Sequence, residues 1–177
     1  MGTQLEIIVL RCQNGDTDAF EELFERYQPR LKYYIRRLDA TGDNTDDMLQ
    51  DIWLTVFRKI HRLKDARSFP VWLYRIARNK VYGRFRQKQK FVRLPEEEHL
   101  PKPGNDEPVF TVEDAERLHI ALNNIQPYHR EVIILYFLER LSYQAIAEIV
   151  GCSLGTIKSR IYFAKKSLRK ELESKNG

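Results

Sequence analysis

Apolar residues recur along the first half of this chain at helical spacing. Phe20, Leu23, Phe24, Tyr27, Leu31, Tyr34, Ile35 and Leu38 fall at steps of three, one and four, which places them on one face of a helix. Asp18 followed by Glu21 gives that helix a capping-box-like start, and Pro29 predicts a kink in its middle. A second stripe runs Leu49, Ile52, Trp53, Val56 and Ile60. A third runs Phe69, Trp72, Leu73, Ile76, Ala77, Val81 and Phe85, with Ser68 as N-cap and Pro70 in the first turn. Farther on, Thr111 with Asp114 opens a helix carrying Ala115, Leu118, Leu122 and Ile125, and Pro127 suits the first position of the next. The run VIILYFL, Val132 to Leu138, has no period that separates a buried helix from a buried strand. Flanking Pro127, Arg130, Glu131 and Glu139 lengthen it beyond ~10 residues, and a lone strand would have no partner, so a helix is expected. With no sustained apolar and polar alternation elsewhere, the expected fold class is all-α.

The pattern sharpens after Leu141. Ser142 can cap a short helix bearing Ile146 and Ile149, Gly151 can end it in the left-handed conformation, and Ser153 can cap a second helix. This punctuation predicts a helix-turn-helix. On the second helix Leu154, Ile157, Ile161, Ala164 and Leu168 are expected to face inward. Gly155, Lys158, Ser159, Tyr162 and Lys166 are expected to share the opposite face, which suits docking in a DNA major groove. A competing reading makes Lys158, Arg160, Lys165, Lys166, Arg169 and Lys170 a solvated surface, since cations are favoured toward a helix C-terminus. Arg160, at the border of the buried face, is open to a phosphate contact, an interhelix ion pair or base readout.

Charge divides the chain. Its 177 residues carry 30 basic and 25 acidic side chains, a net +5 that points to an anionic partner. Residues 1–90 contribute +6 (18 basic, 12 acidic), residues 91–113 contribute −4 (2 and 6), and residues 114–177 contribute +3 (10 and 7). The acidic stretch also holds Pro95, Pro101, Pro103 and Pro108, which exclude a regular helix or a paired strand. Two small helical domains are expected, over 1–92 and 113–177, joined by an acidic, Pro-rich linker over 93–112. Residues 75–90 hold seven basic side chains and no acidic one, with aromatics interleaved, a track suited to single-stranded or distorted DNA. Cys12 and Cys152 form no CxxC, and His61, His99, His119 and His129 fall in no metal-ligand spacing. No Gly-rich phosphate loop, GxSxG or HExxH is present, which does not exclude an enzyme but weighs against one, and no metal or cofactor and no catalysis are expected. No apolar run reaches ~20 residues and no signal peptide is evident, so a cytoplasmic protein without membrane insertion is expected.

Three segments together resemble a known family. YHREVIILYFLERLSYQAIAEIVGCSLGTIKSRIYFAKKSLRKEL is similar to the promoter-binding C-terminal domain of the extracytoplasmic-function (group IV) sigma factors of bacterial RNA polymerase. DNTDDMLQDIWLTVFRKI resembles their core-polymerase-binding helix, and FPVWLYRIARNKVYGRFR their minus-10 reading helix. The resemblance runs from about Asn14 to Leu172. It implies that Asp47, Gln50 and Asp51, with Leu54 on the same face, dock on the clamp helices of the largest polymerase subunit. Taken alone, that face reads as ordinary solvated surface. The resemblance also implies that Arg75, Arg78, Asn79, Tyr82 and Arg86 contact minus-10 DNA, Asn79 and the loop His61 to Ser68 forming a pocket for a flipped base. Ser153, Thr156, Lys158, Ser159, Arg160, Tyr162 and Lys166 would meet the minus-35 element. Core RNA polymerase, promoter DNA and an anti-sigma protein are the partners implied, and the linker would thread the polymerase cleft rather than act as a passive tether.

Four positions depart from the family pattern. Gly83 stands where Asp is common, Ala145 where a Glu completes the capping box with Ser142, Phe163 where a DNA-facing Arg is usual, and Gln126 where Leu precedes Pro127. Two rival functions remain at this point: a stand-alone helix-turn-helix regulator, which would dimerise to match two half-sites, and a small nuclease holding metal on Asp46, Asp47 and Asp51.

Overall fold

The computed structural model describes residues 2–39, 44–88 and 115–174, and among them every regular element is helical. The chain divides into two compact units, Met1–Val92 and Arg93–Gly177. Thr111, Asp114 and the expected linker lie outside the described residues.

The first unit contains α1 (Gly2–Gln13), α2 (Thr17–Leu38), α3 (Thr45–Lys59) and α4 (Phe69–Lys88). Helix α1 has no counterpart among the expected stripes; Ile8, Val9 and Cys12 bury its inner side. Burial pushes the Cys12 thiol up to about 11, which keeps it neutral. Gly15, with φ 85°, turns the chain, and Asp16 caps α2 by accepting from the Ala19 amide at 3.0 Å. The cap is therefore Asp16, with Asp18 already inside the first turn. Helix α2 runs unbroken past an exposed Pro29. Leu23, Leu31, Tyr34 and Ile35 at 0% exposure meet Ile52, Val56, Leu73 and Ala77, also at 0%, to make the core.

The third stripe needs correction. Trp72 and Ile76 are only half-buried, and Tyr74 is at 0% exposure instead, its ring 5.1 Å from Tyr34 and nearly perpendicular. Ser68 belongs to a 3-10 turn, Ala66–Ser68, and its hydroxyl donates to the Asp65 carbonyl at 2.7 Å rather than standing alone before α4 as its cap. A methyl added at Gly83 would meet nothing within 4 Å. Gly83→Ala should thus stabilise α4 by about 0.4–1 kcal/mol, visible as a higher thermal midpoint of the first unit's transition.

The second unit contains α5 (Ala115–Asn124), α6 (Pro127–Ile133), a π-helical turn (Ile134–Leu138), α7 (Tyr143–Val150) and α8 (Leu154–Ser174). VIILYFL is helical as expected, but its last five residues, Ile134–Leu138, are wound as a π-turn, and Arg140 follows with φ 54°. Val132, Ile134, Leu135, Ile146, Ile157 and Ala164, all at 0%, form a thin core around α8. Arg130 ties α5 to α6 by donating to the carbonyls of Asn123 and Ile125 at 3.0 and 3.1 Å. The helix-turn-helix forms through local capping. Ser142 Oγ accepts from the Ala145 amide at 3.1 Å, Gly151 adopts φ 77°, and Ser153 Oγ accepts from the Thr156 amide at 3.1 Å. Ala145 leaves the Ser142 cap one-sided, and it forms regardless.

Candidate functional site

On α3 the four residues singled out by sequence, Asp47, Gln50, Asp51 and Leu54, are all exposed, while Leu49, Ile52, Val56 and Ile60 are buried. Gln50 and Leu54 line a groove of about 520 Å3 between α2 and α3, whose walls also include Phe20, Phe24, Asp46, Leu49, Trp53 and Phe57. Phe20 packs edge-on against Trp53 and Phe57 at 6.0 and 5.2 Å, and the Trp53 indole donates to Gln28 Oε1 at 2.6 Å. Phe57 is 61% exposed and Leu54 44%, so an apolar strip adjoins the carboxylates. Sequence reasoning missed Phe57, although Gln50, Leu54 and Phe57 follow one another at steps of four and three. Exposed aromatic and aliphatic groups beside charged ones are what a helix-recognising surface needs.

Asp46 pairs with Lys32 at 2.8 Å and Asp51 with Lys80 at 2.9 Å. Lys32 donates to the Asp46 carboxylate and holds it below the usual carboxylate range. Two of the three carboxylates that a nuclease would need are thus engaged by lysines, and among the described residues no group of three His, Cys, Asp or Glu could hold a metal ion.

Helix α4 presents Arg75 and Asn79 exposed, with Arg78 and Tyr82 half-buried beside them. The Arg78 guanidinium lies 4.4 Å from the Tyr82 ring centroid, so one face of that ring is already covered by a cation. The Arg86 side chain lies outside the described residues. The loop before α4 is held from below. Gln13 of α1 donates to the carbonyls of Ile60 and Leu63 at 3.0 and 2.7 Å, and Asp65 accepts from the Arg67 amide and guanidinium, both at 3.0 Å. Arg67 holds the Asp65 carboxyl below its ordinary range through these bonds. The loop that carries His61, Arg62, Lys64 and Arg67 outward is therefore braced beside α4.

Helix α8 sorts differently from expectation at three positions. Ile157, Ile161, Ala164 and Leu168 face inward at no more than 1% exposure, but Leu154 is 39% exposed. Ser159 is only 8% exposed, although its angular position is on the outward arc. Lys165 is buried at 6%, its ammonium 5.3 and 5.6 Å from the rings of Tyr136 and Phe137, so it braces the π-turn instead of bordering the outer face. Lys158 and Lys166 are exposed, Thr156, Arg160 and Tyr162 half-buried. Ser153 and Thr156 share a hydroxyl hydrogen bond at 2.8 Å at the helix start, and Arg160 reaches toward the Tyr128 ring at 5.9 Å.

Comparison with known proteins follows the same division. Residues 23–91 match the family described as Sigma-70 region 2, and residues 115–168 match Sigma-70, region 4. The chain is 30% identical over 164 residues to the RNA polymerase sigma factor CarQ of Myxococcus xanthus, covering 92% of this chain and 94% of that protein. It is 30% identical over 181 residues to the ECF RNA polymerase sigma-E factor of Escherichia coli K12, covering 95% and 94%. The solved structure of the sigma factor RpoE in complex with the anti-sigma factor NepR, from Bartonella quintana, is similar with a TM-score of 0.67 at 27% identity, over 87% of this chain and 96% of that one. Two helical units in this order, each matching its own sigma region and together aligning over more than nine-tenths of such relatives, make the chain a member of the extracytoplasmic-function RNA polymerase sigma factors of the sigma-70 family.

Proposed function

We propose that this protein binds core RNA polymerase and directs it to promoters by recognising a minus-10 and a minus-35 element. The observation that carries this reading is the pairing of the two sigma regions, in order, in one chain. The α3 face, Asp47, Gln50, Asp51 and Leu54, together with the groove beside it, docks on the polymerase. The α4 track, Arg75, Arg78, Asn79, Tyr82 and Arg86, neutralises phosphates and captures bases of the opened minus-10 strand. Helix α8 lies in the minus-35 major groove, with Lys158, Thr156 and Tyr162 toward base edges and Ser153, Arg160 and Lys166 toward phosphates. Ser159, being buried, shapes that face more than it presents a hydroxyl. The protein catalyses no reaction itself, acts in the cytoplasm, and is held inactive by an anti-sigma partner. Among the described residues no helix is long and apolar enough to cross a membrane. The 93–112 linker threads the polymerase cleft.

Reading and gripping on α8 are separable. Lys158→Ala should narrow the affinity gap between cognate and scrambled minus-35 DNA by ~1–3 kcal/mol, whereas Lys166→Ala should weaken both alike and reduce the salt slope by about one. A salt-titrated binding series of the two variants, as holoenzymes, checks this. If neither variant changes the gap, α8 grips the backbone and specificity comes from DNA shape.

A further inference from the structure

The inward side of α8 is complete without Phe163. Ile157, Ile161, Ala164 and Leu168 fill it at no more than 1% exposure, and Phe163 stands outside that core, half-buried, on the arc that continues through Lys166 and Lys170. Its ring packs edge-on against Tyr162, with centroids 5.1 Å apart and planes at 89°. The two rings line one open concavity with Lys166, Ser167, Arg169, Lys170 and Glu173, in which Arg169 is paired with Glu173 at 2.8 Å. A pair of aromatics braced against each other beside Lys166 and Lys170 is therefore presented on the surface that, as the minus-35 helix, α8 lays against duplex DNA.

A phenyl ring can neither donate nor accept an ordinary hydrogen bond. Against most base edges in the major groove it would strip water from donors and acceptors and return nothing, which is costly. The thymine C5-methyl is the one apolar group that the groove offers. We propose that Phe163 is a specificity-determining residue that packs on a thymine methyl of the minus-35 element, Tyr162 fixing its ring. The preferred upstream element then carries T·A at the base pair facing Phe163. This inference rests on the assignment of α8 as the minus-35 helix.

The test uses holoenzyme formed from the full chain and core polymerase. Promoters randomised at minus-35 are selected for binding, and each enriched thymine is then replaced by deoxyuridine, which removes only the methyl. The wild type should enrich T at one base pair and lose about fourfold affinity on deoxyuridine there, the effect of one buried methyl. Phe163→Ala should show no such loss, while Phe163→Leu, which keeps an apolar contact, should retain it. Equal binding of thymine and deoxyuridine by the wild type, or an undiminished methyl effect in Phe163→Ala, overturns the proposal and leaves the minus-35 assignment standing. A wild type that enriches no minus-35 sequence removes the assignment itself.

Discussion

Replacing Asp47 and Asp51 by Lys is expected to weaken association with core RNA polymerase by at least about tenfold, because like charges are then set against a surface that accepted carboxylates. Both side chains are exposed on α3, next to the strip formed by Leu54 and Phe57. Stability should change little. Asp51 pairs with Lys80 across two side chains that are 55% and 44% exposed, and exposed pairs of this kind contribute ~0–1 kcal/mol. Asp47 lies in the first turn of α3, where an acid gains ~0.3–1 kcal/mol from the helix dipole. Lys80→Ala is the control: it breaks the pair while keeping the carboxylate, so core affinity should be retained. Equilibrium titration of labelled protein with core polymerase measures all three. Wild-type affinity in the double variant would contradict the assignment, as would an equal loss from Lys80→Ala alone.

The second large effect is expected on α4. Tyr82→Ala and Asn79→Ala should each cost ~1–3 kcal/mol in affinity of the holoenzyme for single-stranded minus-10 DNA, since a flipped or stacked base loses its support. The loss should depend on which base occupies the captured position. Arg75→Ala should weaken all sequences alike and lower the salt dependence, because an exposed guanidinium that no ring among the described residues covers meets phosphates. The distinction follows from geometry, in that the Arg78 guanidinium lies 4.4 Å from the Tyr82 ring centroid, a stacking ring beside a cation, while Arg75 is exposed. Fluorescent oligonucleotide binding at several salt concentrations, with the captured base varied, checks both. Sequence-independent losses in all three variants would reduce α4 to an electrostatic track.

Local chemistry explains why some of this was legible before the structure. Ser142, Gly151 and Ser153 act within four residues of themselves, so their spacing alone specifies the helix-turn-helix. Buried stripes were legible where periodicity was clean, as for Leu49, Ile52, Val56 and Ile60. The misreadings arose where tertiary packing decides. The third stripe included Trp72 and passed over Tyr74, whose ring is buried against that of Tyr34. Lys165 has a long apolar stem that lets its ammonium rest on Tyr136 and Phe137 inside the fold, which no charge count reveals. The uniform run Val132 to Leu138 could not disclose a π-turn, since every register of it is apolar. At the α2–α3 groove, the sequence reading named Leu54 beside the two carboxylates and stopped one turn short of Phe57, which is 61% exposed.

A chain that confers promoter selection on a polymerase lacking it should reveal this in single-round transcription in vitro. Core polymerase would be supplied with templates randomised across two upstream windows, with and without the purified protein. Transcripts should start at fixed positions only when the protein is present, from templates sharing two short elements at constant spacing, with the protein entering the complex as one copy per core. Binding of a protein dimer to duplex DNA with no association with core and no directed transcripts would contradict the account and favour a stand-alone regulator.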